Sequence, residues 1–125
     1  MGSFRVFEAL ATLAFNYPRR AEFFRTELEQ FLSDAFPLFP RTYQVNEVTD
    51  HGVVMQLPIG AEHERPGGTV SGPAMMALAD AAAWLATVSR IGPVALAVTS
   101  SLTINFLRKP ELSDIWADAA LLRLG

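Results

Sequence analysis

Apolar residues along the chain follow two distinct periods. Over residues 19–36, Phe24, Leu28, Phe31, Leu32 and Ala35 recur at three- and four-residue spacing, with Arg20, Glu22, Glu27 and Glu29 between them. That spacing predicts an amphipathic helix, which Pro37 and Pro40 terminate. Pro18 separates it from the first seventeen residues, an apolar stretch interrupted by Arg5 and Glu8. Those interruptions argue against a signal peptide. An amphipathic or partly buried N-terminal helix is expected there, or sequence appended to the domain. From Arg41 the period falls to two, with Tyr43, Val45 and Glu47 alternating against Thr42, Gln44 and Asn46. After Thr49-Asp50-His51-Gly52 the run Val53 to Leu57 resumes. Two such runs around an Asp/Gly turn predict a β-hairpin with a solvated His51 at its tip.

A glycine-rich loop over 60–72 leads into a third apolar pattern. Pro73 suits the first turn of a helix, Ser71 or Gly72 can cap it, Ala74 to Arg90 propagates it, and Gly92-Pro93 ends it. Ala95 to Leu107 is rich in Val, Thr, Ile and Phe and predicts one long strand, closed by Arg108-Lys109-Pro110. Ile115 to Leu124 predicts another strand or the start of one. Strands do not alternate regularly with helices, so an antiparallel sheet packed on one central helix fits better than a doubly wound parallel sheet. The predicted class is α+β, with residues 1–40 as an N-terminal helical extension and 41–125 as the principal domain.

Composition narrows the function. The 125 residues suit a single domain, and at 50% hydrophobic they are neither disordered nor fibrous. A net charge of −3 lacks the basic excess of a protein that grips nucleic-acid phosphates, so no nucleic-acid partner is expected. Zero cysteines exclude a disulfide framework, a thiolate nucleophile and a Cys-ligated zinc site. A reducing cytoplasm is the expected compartment.

One residue stands out. Between Arg65 and Arg90 the sole formal charge is Asp80, whose helical neighbours are Met76, Ala77, Ala83 and Trp84. A nearly uncharged helix suggests burial on most sides, where a carboxylate costs several kcal/mol unless paired or solvated. Desolvation would raise its pKa toward that of a general base. Asp80 could instead be a structural acid held by backbone N–H groups or an Arg. A third possibility makes Val70 to Ser89 a transmembrane helix, which the central Asp, the Gly-Pro start and the missing basic flanks oppose. The favoured reading places Asp80 on a cleft, because Gly67, Gly68 and Gly72 approach the N-terminus of the same helix. Exposed N–H groups there can hold a carbonyl oxygen as negative charge develops on it. The loop matches neither nucleotide-phosphate signature. Ser71 has no evident Ser/His/Asp set around it and reads as a helix cap. His63 reads as a solvated loop residue, and Arg108 and Lys109 read equally as a solvated strand end.

These residues resemble the hotdog-fold acyl-CoA thioesterases, in particular the phenylacetyl-CoA (PaaI-like) branch. In that family a loop of the form N-x-x-G-x-x-H-G-G enters a long apolar helix, with an Asp nine residues after the His. Here Arg65-Pro66-Gly67-Gly68-Thr69-Val70-Ser71-Gly72-Pro73 enters the helix, Asp80 lies nine after Ser71, and Thr103 to Arg108 resembles the family's T-I-[DN]-F-L-R strand end. Gly68, Gly72 and Asp80 match, whereas Arg65, Ser71 and Pro73 depart from the usual Asn, His and Gly. The resemblance spans about residues 41–125. It implies a hotdog fold, an antiparallel sheet wrapped around a long central helix. It also implies hydrolysis of an acyl-CoA to a carboxylic acid and CoA.

In that scheme the Gly72 N–H polarises the carbonyl, Asp80 is general base or nucleophile, and Thr99 positions water or the carboxylate. Ser71 takes the place of the family His, while Pro73 removes any second amide donor. Arg65, Gly68, Trp84, Phe106, Arg108 and Lys109 are the candidate substrate contacts, the two basic strand-end residues toward CoA phosphates. Met75 and Met76 join Trp84 and Phe106 as acyl-pocket candidates. No metal and no cofactor other than the CoA thioester substrate is implied. A homodimer or dimer of dimers with the site at the interface is expected, as are one or two strands beyond the position of Gly125. The alternatives are a non-catalytic acyl-CoA-binding or structural hotdog protein, and a membrane-associated protein anchored through residues 1–36. A hotdog dehydratase would need a catalytic His paired to an acid, which the sequence lacks.

Overall fold

The computed structural model describes residues 7–13, 25–37, 42–92 and 98–122. Among these residues ten elements run in the order β1 (Phe7–Leu13), α1 (Arg25–Ala35), β2 (Gln44–Val48), β3 (Gly52–Leu57), a single 3-10 turn (Ala61–His63), β4 (Glu64–Arg65), β5 (Thr69–Val70), α2 (Gly72–Ile91), β6 (Thr99–Phe106) and β7 (Ile115–Ala120). The hairpin, the long helix and both later strands lie where the hydropathy pattern puts them. Residues 1–6, 14–17, 19–24, 95–97 and 123–124 of the expected elements fall outside the described residues.

The principal sheet has the antiparallel order β2-β3-β7. β3 is its central strand and is buried along nearly all its length, which explains the unbroken apolar run from Val53 to Leu57. A bulge between Val45 and Glu47 shifts the β2–β3 register. Gly52 pairs with Ala120, and a Cβ there would collide with the Ala119 carbonyl oxygen. The glycine that reads as a turn residue is therefore also demanded by close strand approach.

α2 lies against β3 and β7 and buries Met75, Leu78, Ala82, Leu85, Ala86 and Val88 in the core. By length and composition it could cross a membrane, yet most of it is buried inside the protein. Its ends are fixed by local chemistry. Ser71 Oγ accepts from Ala74 N–H at 3.3 Å, and Gly92 at φ 92° donates to the Val88 carbonyl at 2.9 Å. Near the C-terminus Arg90 Nη2 donates to the Thr49 carbonyl at 3.0 Å, tying the helix to the β2–β3 turn.

α1 docks on this core through Leu28 and Leu32, which are 0% and 1% exposed. Burying two leucines at i, i+4 is worth about 1.5–3 kcal/mol each. The expected N-terminal helix is corrected within the described stretch: Phe7–Leu13 is a strand, antiparallel to β6 from Phe7↔Phe106 to Leu13↔Thr99. A strand edge with unmet N–H and C=O groups outweighs the weak helical periodicity of that segment.

Candidate active site

α2 presents a stripe of uncovered positions along its N-terminal half, where Pro73, Met76, Ala77 and Asp80 are exposed at three- and four-residue spacing. This corrects the expectation that Asp80 is buried. The surrounding alanines do face the core on other sides, but the stripe carrying Asp80 faces outward, so this chain's own core does not desolvate the carboxylate. β6 runs beside the stripe. Between them lies an open groove of about 440 Å³, lined by Met76, Ala77, Asp80 and Thr99 through Leu102. Within it Thr99 Oγ1 donates to Asp80 Oδ1 at 2.7 Å. This bond restrains the rotamer of the Asp80 side chain, and among the described residues its second oxygen takes no hydrogen bond.

Tyr43, which sequence reasoning treated only as an alternating position ahead of β2, also bears on this carboxylate. Burial pushes its phenol above the ordinary value, and the Asp80 charge raises it further. A tyrosine before a strand gives no sequence signal of this relationship, which arises across the fold.

A second groove of about 650 Å³ lies at the N-terminus of α2, where Arg65, Gly72, Met75, Phe106, Arg108 and Lys109 meet. In the first turn of the helix, Ala74 N–H bonds Ser71 Oγ and Met75 N–H bonds the Ser71 carbonyl at 3.2 Å. Pro73 has no N–H. Gly72 N–H therefore remains as the first-turn donor with no hydrogen-bond partner among the described residues, and Gly72 lines the groove. The Phe106 ring lies 3.7 Å from where a Gly72 Cβ would be. Three cationic side chains beside a helix N-terminus make this end of the protein suited to anionic ligands.

The candidate residues thus divide. Asp80 and Thr99 share the first groove; Arg65, Gly72, Phe106, Arg108 and Lys109 share the second. Ser71 caps α2. Gly68 lines neither groove; it turns the β4–β5 hairpin with Gly67, at φ 69° and 102°. Trp84 also lines neither. It stacks on Phe31 at 6.1 Å and meets Phe36 edge-on at 5.3 Å, packing α1 against α2. His63, read from sequence as solvated, has a side chain only 16% exposed, with Nδ1 accepting from Gly60 N–H at 2.9 Å. No cluster of metal-binding side chains occurs among the described residues.

An antiparallel sheet carried on one long helix, with both grooves at that helix, defines a hotdog-type α+β domain. A family model described as the thioesterase superfamily matches residues 67–125. The crystal structure of a candidate thioesterase from Silicibacter sp. TM1040 is similar over 85% of this chain and 74% of that one, at 35% identity and a TM-score of 0.75. The chain belongs to the thioesterase superfamily. Residues 1–35 are similar to a different family, the transglycosylase SLT domain. Over 32 residues the chain is 69% identical to the membrane-bound lytic murein transglycosylase B of Escherichia coli, covering 26% of this chain and 9% of that protein.

Proposed function

We propose that this protein hydrolyses acyl-CoA thioesters in the manner of the phenylacetyl-CoA (PaaI-like) branch, with Asp80 and the Gly72 amide as its two reacting groups. The observation that carries the reading is Asp80 held by Thr99 on an open groove, with one carboxylate oxygen left for a ligand. As general base, Asp80 takes a proton from water while the water oxygen bonds the thioester carbon. The carbonyl oxygen becomes an oxyanion and is stabilised by Gly72 N–H. Collapse breaks the C–S bond, and the thiolate leaves to be protonated as CoA. As nucleophile, Asp80 would instead form a mixed anhydride, which water then hydrolyses to the same products.

Gly72 and Asp80 lie eight residues apart on one helix, or about 12 Å along its axis. They also line different grooves. One thioester carbonyl cannot contact both groups of a single chain, so the reading requires two copies, one contributing Gly72 and the other Asp80. A homodimer or dimer of dimers follows. Arg65, Arg108 and Lys109 would meet the CoA phosphates, and Met75, Met76 and Phe106 the acyl chain. The intracellular location of CoA and the absence of cysteine favour the cytoplasm.

The test is CoA release across aryl- and fatty-acyl-CoAs by wild type and by Asp80→Ala, followed by subunit mixing. Gly72→Pro removes the amide donor and Asp80→Ala the acid. Each alone should lose 10²-fold or more, on the order of other oxyanion and acid–base deletions. Mixed, they should regain activity, because some dimers then hold one intact site. Equal turnover by wild type and Asp80→Ala rejects the mechanism. The Ser71 and Pro73 departures favour a second reading, a non-catalytic CoA-ester-binding protein, in which calorimetry finds binding without thiol release.

The transglycosylase likeness of residues 1–35 supports no glycosidase reading. The 32-residue match covers 9% of the murein transglycosylase, and Leu28 and Leu32, within residues 1–35, are core residues of this fold.

A further inference from the structure

We propose that His63 is a positioning residue that fixes the direction in which Gly72 presents its N–H. The inference rests on the reading of Gly72 as the carbonyl-binding donor. Gly60 and His63 are reciprocally bonded: His63 N–H donates to the Gly60 carbonyl at 3.0 Å, and Gly60 N–H donates to His63 Nδ1 at 2.9 Å. An imidazole that accepts at Nδ1 carries its proton at Nε2, which lies 3.6 Å from the exposed carboxylate of Glu62. This pair closes the 3-10 turn and immobilises the His63 carbonyl. That carbonyl accepts from Ser71 N–H at 2.7 Å, across the base of the β4–β5 hairpin.

Ser71 is thereby held at three points: its N–H by His63, its Oγ by Ala74 N–H, and its carbonyl by Met75 N–H. The Ser71 carbonyl and the Gly72 N–H belong to one planar peptide unit. Fixing Ser71 therefore fixes the vector of the Gly72 donor. Gly67 and Gly68 turn the hairpin at positive φ, and Pro73 supplies no second donor to correct a misaimed one. Among the described residues the imidazole holds the loop base at Gly60, while Asp114 Oδ1 accepts from the preceding Ile59 N–H at 3.0 Å. An error of about 1 Å in a reacting group's placement can cost up to 100-fold in rate.

The experiment uses the full chain labelled with 15N and a CoA analogue in which CH2 replaces the thioester sulfur, so that the carbonyl remains but cannot be hydrolysed. The Gly72 amide resonance should move on adding the analogue to wild type. His63→Ala should abolish that movement and speed hydrogen exchange at Ser71 at least tenfold. On acyl-CoA it should lower kcat about tenfold, with KM changed less than twofold. His63→Asn places an acceptor oxygen at the position of Nδ1 and should restore all three. If His63→Ala does not fold, His63→Gln, which moves the acceptor one bond outward, serves as the loss variant. A Gly72 shift that survives loss of the imidazole, or an Asn variant no better than Ala, overturns the role of His63 and leaves Gly72 as donor. A Gly72 resonance that ignores the analogue in wild type overturns the donor reading and this inference with it.

Discussion

Thr99 and Asp80, on β6 and α2, are joined by a 2.7 Å hydrogen bond from Oγ1 to Oδ1 although nineteen residues separate them in sequence. The bond joins a carboxylate on a helix to a hydroxyl on the strand that flanks it, so its length reports how the two elements are seated. Thr99→Val keeps the β-branched shape and removes only the donor. On the thioesterase reading it should lower kcat about tenfold, by freeing the Asp80 rotamer, whereas Asp80→Ala should lower it by 10² to 10⁴. Because the pair faces solvent, chemical denaturation should show both variants within about 1 kcal/mol of wild type. A Thr99→Val protein with unchanged kcat would make the bond structural only.

Much of this arrangement is legible from residues alone, and what is not has definite causes. Ser71, Pro73 and Gly92 bracket α2 by local chemistry, so its limits are readable within two residues. The i, i+4 pair Leu28 and Leu32 marks the buried face of α1 in the same way. Asp80 misleads because an alanine-rich helix looks buried all round, yet alanine is short enough to leave an uncovered stripe without a polar signature. The state of Phe7–Leu13 is set by β6, whose paired residues lie 86 to 99 positions away in sequence, which no local window contains. His63 looks like a solvated loop residue because its partner is a backbone amide three residues back, and backbone partners leave no mark in the sequence.

Tyr43 gives a pH-dependent test of its proximity to Asp80. Burial is the larger cause of its raised pKa and the Asp80 charge the smaller. A phenol whose folded value exceeds its unfolded one stabilises fully below the unfolded value. That contribution is lost as pH rises through the folded value. Stability should therefore begin to fall above the ordinary tyrosine value of 10.0. Absorbance titration of tyrosinate should show a late-titrating phenol that disappears in Tyr43→Phe. Asp80→Asn should bring that titration only part of the way back, since burial persists; a full return would reverse the order of the two causes.

Glycine plays two different physical roles, and substitution separates them. At Gly52 a Cβ would strike the Ala119 carbonyl of the paired strand, so Gly52→Ala must part β3 from β7 at the end of their ladder, where Gly52 opens β3. A cost of at least about 3 kcal/mol is expected, the upper end for overpacking, because backbone cannot rotate aside. Nothing lies within 4 Å of a Cβ at Gly68, where only the φ of +69° is demanding. Gly68→Ala should cost about 1–2 kcal/mol. Urea unfolding of the two variants compares them directly, and equal losses would mean that β7 is not seated on Gly52 as described.

α1 offers the sharpest test of how the transglycosylase-like stretch relates to the domain that follows it. Leu28 and Leu32 join Val45, Val53, Met55 and Leu85 in one buried cluster, while Phe31 stacks on Trp84. A helix that merely trailed from an independent domain would leave those leucines dispensable. In the packing seen here, Leu28→Ala and Leu32→Ala each remove a fully buried side chain and should cost about 2–5 kcal/mol. Because they are neighbours in one cluster, the double variant should depart from the sum of the two. Glu27→Ala, on the exposed face of the same helix, should stay within about 0.5 kcal/mol. Thermal and urea unfolding read all four. Should the two leucine variants also stay within 0.5 kcal/mol, α1 does not share this core, and the hotdog sheet and α2 must be stable without it.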